Sequence, residues 1–198
     1  MAYGLSDLII KYLKGNDSMV YVFLADGFEE TEAVAPIDML RRGGCEVVTV
    51  GVTGKTVTSS HGIPMICDIE LSQAVTEGLE MIVLPGGKVG TDNLIASKDV
   101  ERITDYCVQH GLFIGAICAA PSVLGLRGLL DGKKAVCYPG FEGKLKGALI
   151  QDMPAVRDGI FITGRGAGAS LEFGYELVSA LKGEAKAKEV AGSIVWNI

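Results

Sequence analysis

Cys118 stands in the stretch Leu112–Arg127, which reads L-F-I-G-A-I-C-A-A-P-S-V-L-G-L-R. Leu112–Ala116 has the character of a short buried parallel strand, and Ala119–Arg127 that of a helix with Pro121 in its first turn. A cysteine at that corner, flanked by Gly115, Ala116, Ala119 and Ala120, fits a nucleophile elbow in which sulfur replaces oxygen. Only small neighbours leave room for so sharp a turn. Backbone N–H groups at the start of the following helix are expected to favour thiolate over thiol. The chemistry on offer is nucleophilic attack by sulfur. The bland alternative is a small buried hydrophobe, since free cysteine is among the most buried residue types.

Ligands in open α/β sheets bind beyond the carboxyl ends of the strands, so the turns that follow strands carry the remaining candidates. Asp26–Glu32 holds Glu29, Glu30 and Glu32. Acid in a first helical turn often only complements the helix dipole, but one of the three can instead be a buried general acid/base with its pKa raised by desolvation. Pro85–Gly90 places Gly86 and Gly87 where backbone N–H groups can approach a ligand oxygen. It is not a phosphate loop, because the upstream glycine is missing and Val89 stands where a Ser or Thr would bind magnesium. Gly164–Ser170 spells G-x-G-x-G rather than a dinucleotide fingerprint, and its Arg165 is either an anion ligand or, the preferred reading, a salt-bridged strut.

Histidine is scarce, with two in the chain. His110 ends the helix that enters the Cys118 strand, so at ~3.3 Å per strand residue it lies roughly 15–20 Å from the sulfur and cannot be its base. His61 falls in an irregular loop and reads as solvated. A Cys-His pair of the protease or glutaminase kind is poorly supported.

The elements needed to position these residues are legible as alternating strands and helices, hence an α/β fold. Met19–Ala25 is a continuous apolar run, the mark of a central strand covered on both faces. A helix over about 29–42 closes at Gly43-Gly44, and Cys45–Val50 is the next strand. Residues 51–60 read as a loop or small hairpin followed by an extended piece over 63–66. Met81–Leu84 is a short strand, Val100–His110 a helix, and Ala135–Cys137 a further strand before a Gly/Lys-rich excursion over 140–147. Val156–Ile162 has the form of a hairpin turning at Asp158-Gly159. Two helices, about 170–182 and 184–194, close the chain. Residues 1–18 stand apart as an extension: Leu5, Leu8, Ile9, Tyr12 and Leu13 form one apolar helical stripe, broken by Gly15-Asn16-Asp17-Ser18, and Met19 is a possible internal start. Residues 19–198 are expected to form one domain, a length that suits a single core.

A net charge of −6 argues against nucleic acid or an anionic membrane surface as partner. The 5 cysteines are odd in number and contain no C-x-x-C pair, so neither a disulfide framework nor a zinc site is expected, and a reducing cytoplasm fits best. No apolar run approaches the ~20 residues that span a bilayer, and no secretory signal is read at the N-terminus.

Four motifs in order, A-D-G-F-E-E-T-E-A at 25–33, L-P-G-G at 84–87, A-I-C-A-A-P at 116–121 and G-R-G-A-G-A-S-L-E-F at 164–173, make the chain resemble the ThiJ/PfpI superfamily. The resemblance is to the branch of the parkinsonism-associated deglycase (the "DJ-one" type). It implies a flavodoxin-like three-layer α/β/α sandwich with a mostly parallel central sheet, usually a homodimer, working without a cofactor or metal. It further implies Cys118 as nucleophile or oxidation-sensing thiol, Glu32 as its buried partner, and the N–H groups of Gly87 and Ala119 as an oxyanion site. The implied activity is conversion of small 2-oxoaldehydes to hydroxy acids, or repair of early glycation adducts. Stress-chaperone or redox-sensor roles are the alternative. Two positions depart from the pattern. Tyr138 stands where many members of this branch carry a histidine, and Ala119 follows the cysteine where protease-like members have histidine, so peptidase activity is less expected.

Overall fold

In the computed structural model, which describes residues 19–197, the first strand is β1 (Met19–Leu24), buried at every position. Its alternation of partners explains the all-apolar sequence MVYVFL. Val20, Val22 and Leu24 join a cluster on one side of the sheet, while Met19, Tyr21 and Phe23 join a second cluster on the other. A strand covered on both faces has no position left for a polar residue.

The remaining strands are β2 (Glu46–Gly51), β3 (Thr56–Thr58), β4 (Pro64–Ile66), β5 (Ile69–Glu70), β6 (Leu79–Leu84), β7 (Phe113–Ile117), β8 (Lys134–Ala135), β9 (Leu149–Ile150), β10 (Ala155–Asp158) and β11 (Phe161–Gly164). Six of them join β1 in one sheet in the order β10-β11-β7-β6-β1-β2-β5. All its pairings are parallel except β10 with β11, which is a hairpin turning at Asp158-Gly159. The helices are α1 (Glu30–Arg42), α2 (Lys88–Ala96), α3 (Lys98–His110), α4 (Pro121–Gly125), α5 (Ser170–Lys182) and α6 (Glu184–Ser193). Buried side chains of α1, α5 and α6 lie in one core cluster, and those of α2, α3 and α4 in the other. The result is the flavodoxin-like three-layer sandwich, with helices on both faces of a mostly parallel sheet.

Four sequence expectations need correction. The helix after Cys118 is only Pro121–Gly125, since Gly125 is pressed against Leu145 and the chain turns away beyond it. Ala135–Cys137 is not a strand of the main sheet. Lys134–Ala135 instead pairs in parallel with Leu149–Ile150 as a separate two-stranded piece. Helix α2 is absent from the sequence reading because it begins inside P-G-G-K-V-G, which looks like loop throughout. Gly90 is required there: a Cβ at that position would lie 2.7 Å from the Phe28 backbone nitrogen. The two-residue edge strand β5 carries too little pattern to be read. The expected amphipathic stripe over 5–13 falls outside the described residues.

Candidate active site

The four turns picked out by the sequence meet at the carboxyl ends of β1, β6, β7 and β11. Each is stitched to another by backbone hydrogen bonds. Glu29 N–H donates to the Gly86 carbonyl at 3.1 Å, Gly90 N–H to Gly27 at 3.1 Å, and Cys118 N–H to Gly164 at 2.9 Å. The site is therefore built on sheet termini and not on free loops.

Cys118 has φ of 65°, a left-handed conformation that non-glycine residues rarely adopt. Both of its backbone polar groups are engaged, the N–H with Gly164 and the carbonyl with Tyr138 N–H at 2.8 Å, which holds the strained turn in place. The turn lifts Sγ off the sheet end and toward Glu32.

The three glutamates separate cleanly. Glu29 is the N-cap of α1, its carboxylate accepting from Glu32 N–H at 2.7 Å. Glu30 pairs with His61 Nδ1 at 2.8 Å and accepts from Ser60 Oγ at 3.3 Å. Glu32 alone points inward. It is 1% exposed, accepts from Gly86 N–H at 2.9 Å, and is also hydrogen-bonded by the Ala167 backbone and by Cys118. Gly86 has to be glycine, because a Cβ there would lie 2.5 Å from Glu32 Oε2 and 2.6 Å from Cys118 Cβ. His61, read as solvated, is tied to Glu30 by the hairpin β3–β4, a pairing that only the tertiary fold reveals.

Burial raises the Glu32 carboxyl to about 7, with the Cys118 hydrogen bond pulling the other way. Cys118 is pushed up to about 12, first by burial and then by the charge and hydrogen bond of Glu32. The N–H groups of Gly87 and Ala119 do reach the sulfur and lower its pKa, as a helix-start thiol should experience, but they are outweighed. The donors expected to favour the thiolate are thus present, and burial together with the neighbouring carboxylate of Glu32 works against them. The two side chains are hydrogen-bonded to each other and share one proton.

Arg165 forms an ion pair with Asp152 at 2.6 Å, and its N–H donates to the Pro154 carbonyl. It sits beside the site and its guanidinium is occupied as a strut. Tyr138 is 51% exposed, with its ring edge-on to Phe141 at 6.4 Å between centroids. A Cβ at Gly166 would be 3.4 Å from that ring and 4.0 Å from Glu32 Oε1, so Tyr138 flanks the carboxyl across a single glycine. Among the described residues, one trio offers metal-ligand atoms within 4.8 Å of one another, Glu29, Glu30 and His61. Both carboxylates are already engaged by the cap and by His61. No described helix is long and apolar enough to cross a membrane.

Residues 18–180 match the DJ-1/PfpI family. The chain belongs to that family. Among its DJ-1 relatives, Protein DJ-1 homolog B of Arabidopsis thaliana is 39% identical over 188 residues, which cover 93% of this chain and 43% of the relative. The chain thus spans less than half the length of that plant protein, and 46% of its homolog A. The protein named glutathione-independent glyoxalase DJR-1.2 of Caenorhabditis elegans is 29% identical over 161 residues, covering 80% of this chain and 85% of its own. The crystal structure of Drosophila melanogaster DJ-1beta superposes with a TM-score of 0.88 at 33% identity, covering 92% of this chain and 100% of that one.

Proposed function

We propose that this DJ-1/PfpI member is a cofactor-independent, cysteine-dependent glyoxalase or deglycase acting on small 2-oxoaldehydes or their early glycation adducts. The observation that carries the reading is the buried Glu32 carboxyl bonded to the Cys118 thiol, with the Gly87 and Ala119 N–H groups at the same sulfur. A relative named as a glutathione-independent glyoxalase supports it.

The steps balance without an external oxidant. Glu32 carboxylate takes the thiol proton as Sγ adds to the aldehyde carbon and passes it to the new oxyanion, giving a hemithioacetal whose oxygen is held by backbone N–H donors and returning Glu32 to the carboxylate. Glu32 then moves the proton from that carbon to its neighbour while the hydroxyl proton passes to the neighbouring oxygen, so the ketone is reduced to an alcohol and the former aldehyde carbon becomes a thioester. Water cleaves the thioester and releases the 2-hydroxy acid and the thiol. A carboxyl poised near neutrality can both accept and return that proton, which one held near 4.5 would do poorly.

The test is methylglyoxal consumption, with hydroxy acid detected as product, by the reduced protein beside Cys118→Ala and Glu32→Gln. Cys118→Ala is expected to abolish turnover and Glu32→Gln to cost about 10²–10⁴-fold. A folded, reduced wild type that leaves methylglyoxal untouched overturns the reading. We also infer a homodimer. Val34 on α1 and Ile63 and Ile66 at β4 are exposed apolar side chains of the kind that association covers, and sedimentation equilibrium at twice the monomer mass of 20.8 kDa is the expected result.

A further inference from the structure

A groove of about 520 Å³, open to solvent, is walled by Tyr138, Asp152, Met153, Pro154, Arg165 and Glu172 and floored by the Gly166–Ala169 backbone. Cys118 and Glu32 do not line it, but it adjoins them through three lining residues: Tyr138 N–H donates to the Cys118 carbonyl at 2.8 Å, Ala167 hydrogen-bonds Glu32, and the position of a Gly166 Cβ lies 4.0 Å from Glu32 Oε1. Pockets of roughly 300–1,000 Å³ bury drug-sized ligands. This one is far larger than the methyl group of a three-carbon aldehyde.

Its chemistry is that of a flat, uncharged group. Tyr138 supplies an aromatic wall, held by its N–H bond to the Cys118 carbonyl and by Phe141 behind it. Met153, Pro154 and Ala167 add soft apolar surface. Arg165, the cation at the rim, is committed to Asp152 at 2.6 Å, while Glu172 discourages an anionic substituent. A side chain at Gly166 would stand between the Tyr138 ring and Glu32, and its φ of 165° is extended backbone that any residue can adopt.

We propose that the groove between Tyr138 and Gly166 seats the substituent of an aryl 2-oxoaldehyde, making Tyr138 the residue that selects aromatic over small aliphatic substrates at the thiol. The proposal rests on the thiol–aldehyde reading above. Its reaction adds one water: the aryl ketone carbon is reduced to a secondary alcohol, the aldehyde carbon is oxidised to the acid, and an aryl hydroxyacetate leaves.

The experiment compares kcat/KM for phenylglyoxal and methylglyoxal in the full chain and in Tyr138→Phe, Tyr138→Ala and Gly166→Ala, each checked for cooperative melting. Aromatic contacts support a preference for phenylglyoxal of several-fold to about tenfold in wild type. Tyr138→Phe keeps that ratio and Tyr138→Ala brings it near one. Gly166→Ala, whose new methyl meets only the Tyr138 ring and Glu32, lowers phenylglyoxal turnover more than methylglyoxal turnover. A turnover-free arm measures alkylation of Cys118 by iodoacetamide with mandelate present. Mandelate slows it in wild type and not in Tyr138→Ala. A ratio near one in wild type, a ratio indifferent to Tyr138→Ala, or no protection by mandelate overturns the aryl proposal while leaving the thiol–aldehyde reading intact. Loss of both aldehyde activities in wild type overturns the two together.

Discussion

The Cys118 thiol and the Glu32 carboxyl are hydrogen-bonded to each other, and the bond acts in opposite directions on the two, lowering the pKa of Glu32 and raising that of Cys118 while burial raises both. One proton is therefore shared by the pair, and its titration belongs to the pair. In the proposed reaction the base form of Glu32 is the one that starts turnover, and it is populated above about 7. Turnover is expected to rise with pH through the neutral range. A kcat/KM profile from pH 5 to 9 should bend near 7; a bend near 4.5 would mean that Glu32 is solvated during turnover and that the site opens further than its 1% exposure implies.

The same carboxyl makes the protein pH-sensitive in stability. Its folded pKa, about 7, lies above the ordinary 4.5, so the native state binds this proton more tightly than the unfolded chain does. Its contribution is fully present below about 4.5 and is lost as pH rises through about 7. Glu32→Gln keeps an acceptor for Gly86 N–H and removes the charge, so it should stabilise the fold at pH 8, by up to about 3 kcal/mol. Thermal melts at pH 5 and pH 8 check this. The gain should shrink toward pH 5, and a variant less stable than wild type at pH 8 would show that the carboxylate is better solvated than the fold suggests.

The architecture was legible because it follows from short-range rules. The continuous apolar run of β1, the Gly43-Gly44 stop and the Asp158-Gly159 turn each declare themselves within a few residues. So did the elbow, whose small neighbours are a local steric demand. The forces acting on the thiol were not all legible, because the groups that raise its pKa arrive from burial and from α1, distant in sequence. Which glutamate turns inward was likewise a matter of geometry. Glu29, Glu30 and Glu32 are chemically alike, and only the placement of Gly86, His61 and the helix start assigns the cap, the ion pair and the buried acid. Helix α2 was hidden by glycines that exist for close backbone approach, and β5 and β9 by being two residues long.

Gly86→Ala should damage the site and the fold together. The added methyl would sit 2.5 Å from Glu32 Oε2, 2.6 Å from Cys118 Cβ and 2.9 Å from the Ile117 carbonyl, and two of these three belong to the tightly held elbow. Overpacking of this kind costs about 1–3 kcal/mol. Denaturant unfolding should show that loss, and turnover should fall more steeply than stability because Cys118 and Glu32 are pushed apart. Retention of wild-type turnover would mean that the bond between them is dispensable.

Arg165 offers a test of strut against ligand. It is half-exposed and its partner Asp152 is 91% exposed, so the ion pair is screened by solvent. Arg165→Gln should change stability by less than about 1 kcal/mol and leave the KM for an uncharged aldehyde unaltered. A several-fold rise in KM on substitution would instead identify the guanidinium as a group that touches substrate.

Cys118 occupies a backbone conformation that favours glycine, with φ of 65°. At most positions inside regular structure, replacing alanine by glycine costs about 0.5–1 kcal/mol. Here the order should reverse. Cys118→Ala retains the clash between Cβ and the backbone that makes left-handed residues unfavourable by about 1–2 kcal/mol, whereas Cys118→Gly removes it. Both variants delete the sulfur and its bond to Glu32, so that loss cancels in the comparison. Paired melting curves should therefore place Cys118→Gly at or above Cys118→Ala in Tm. A glycine variant that melts well below the alanine variant would show that the elbow relaxes once the thiol is gone, and that the sulfur's contacts, more than the Gly164 and Tyr138 hydrogen bonds, hold the turn in its strained form.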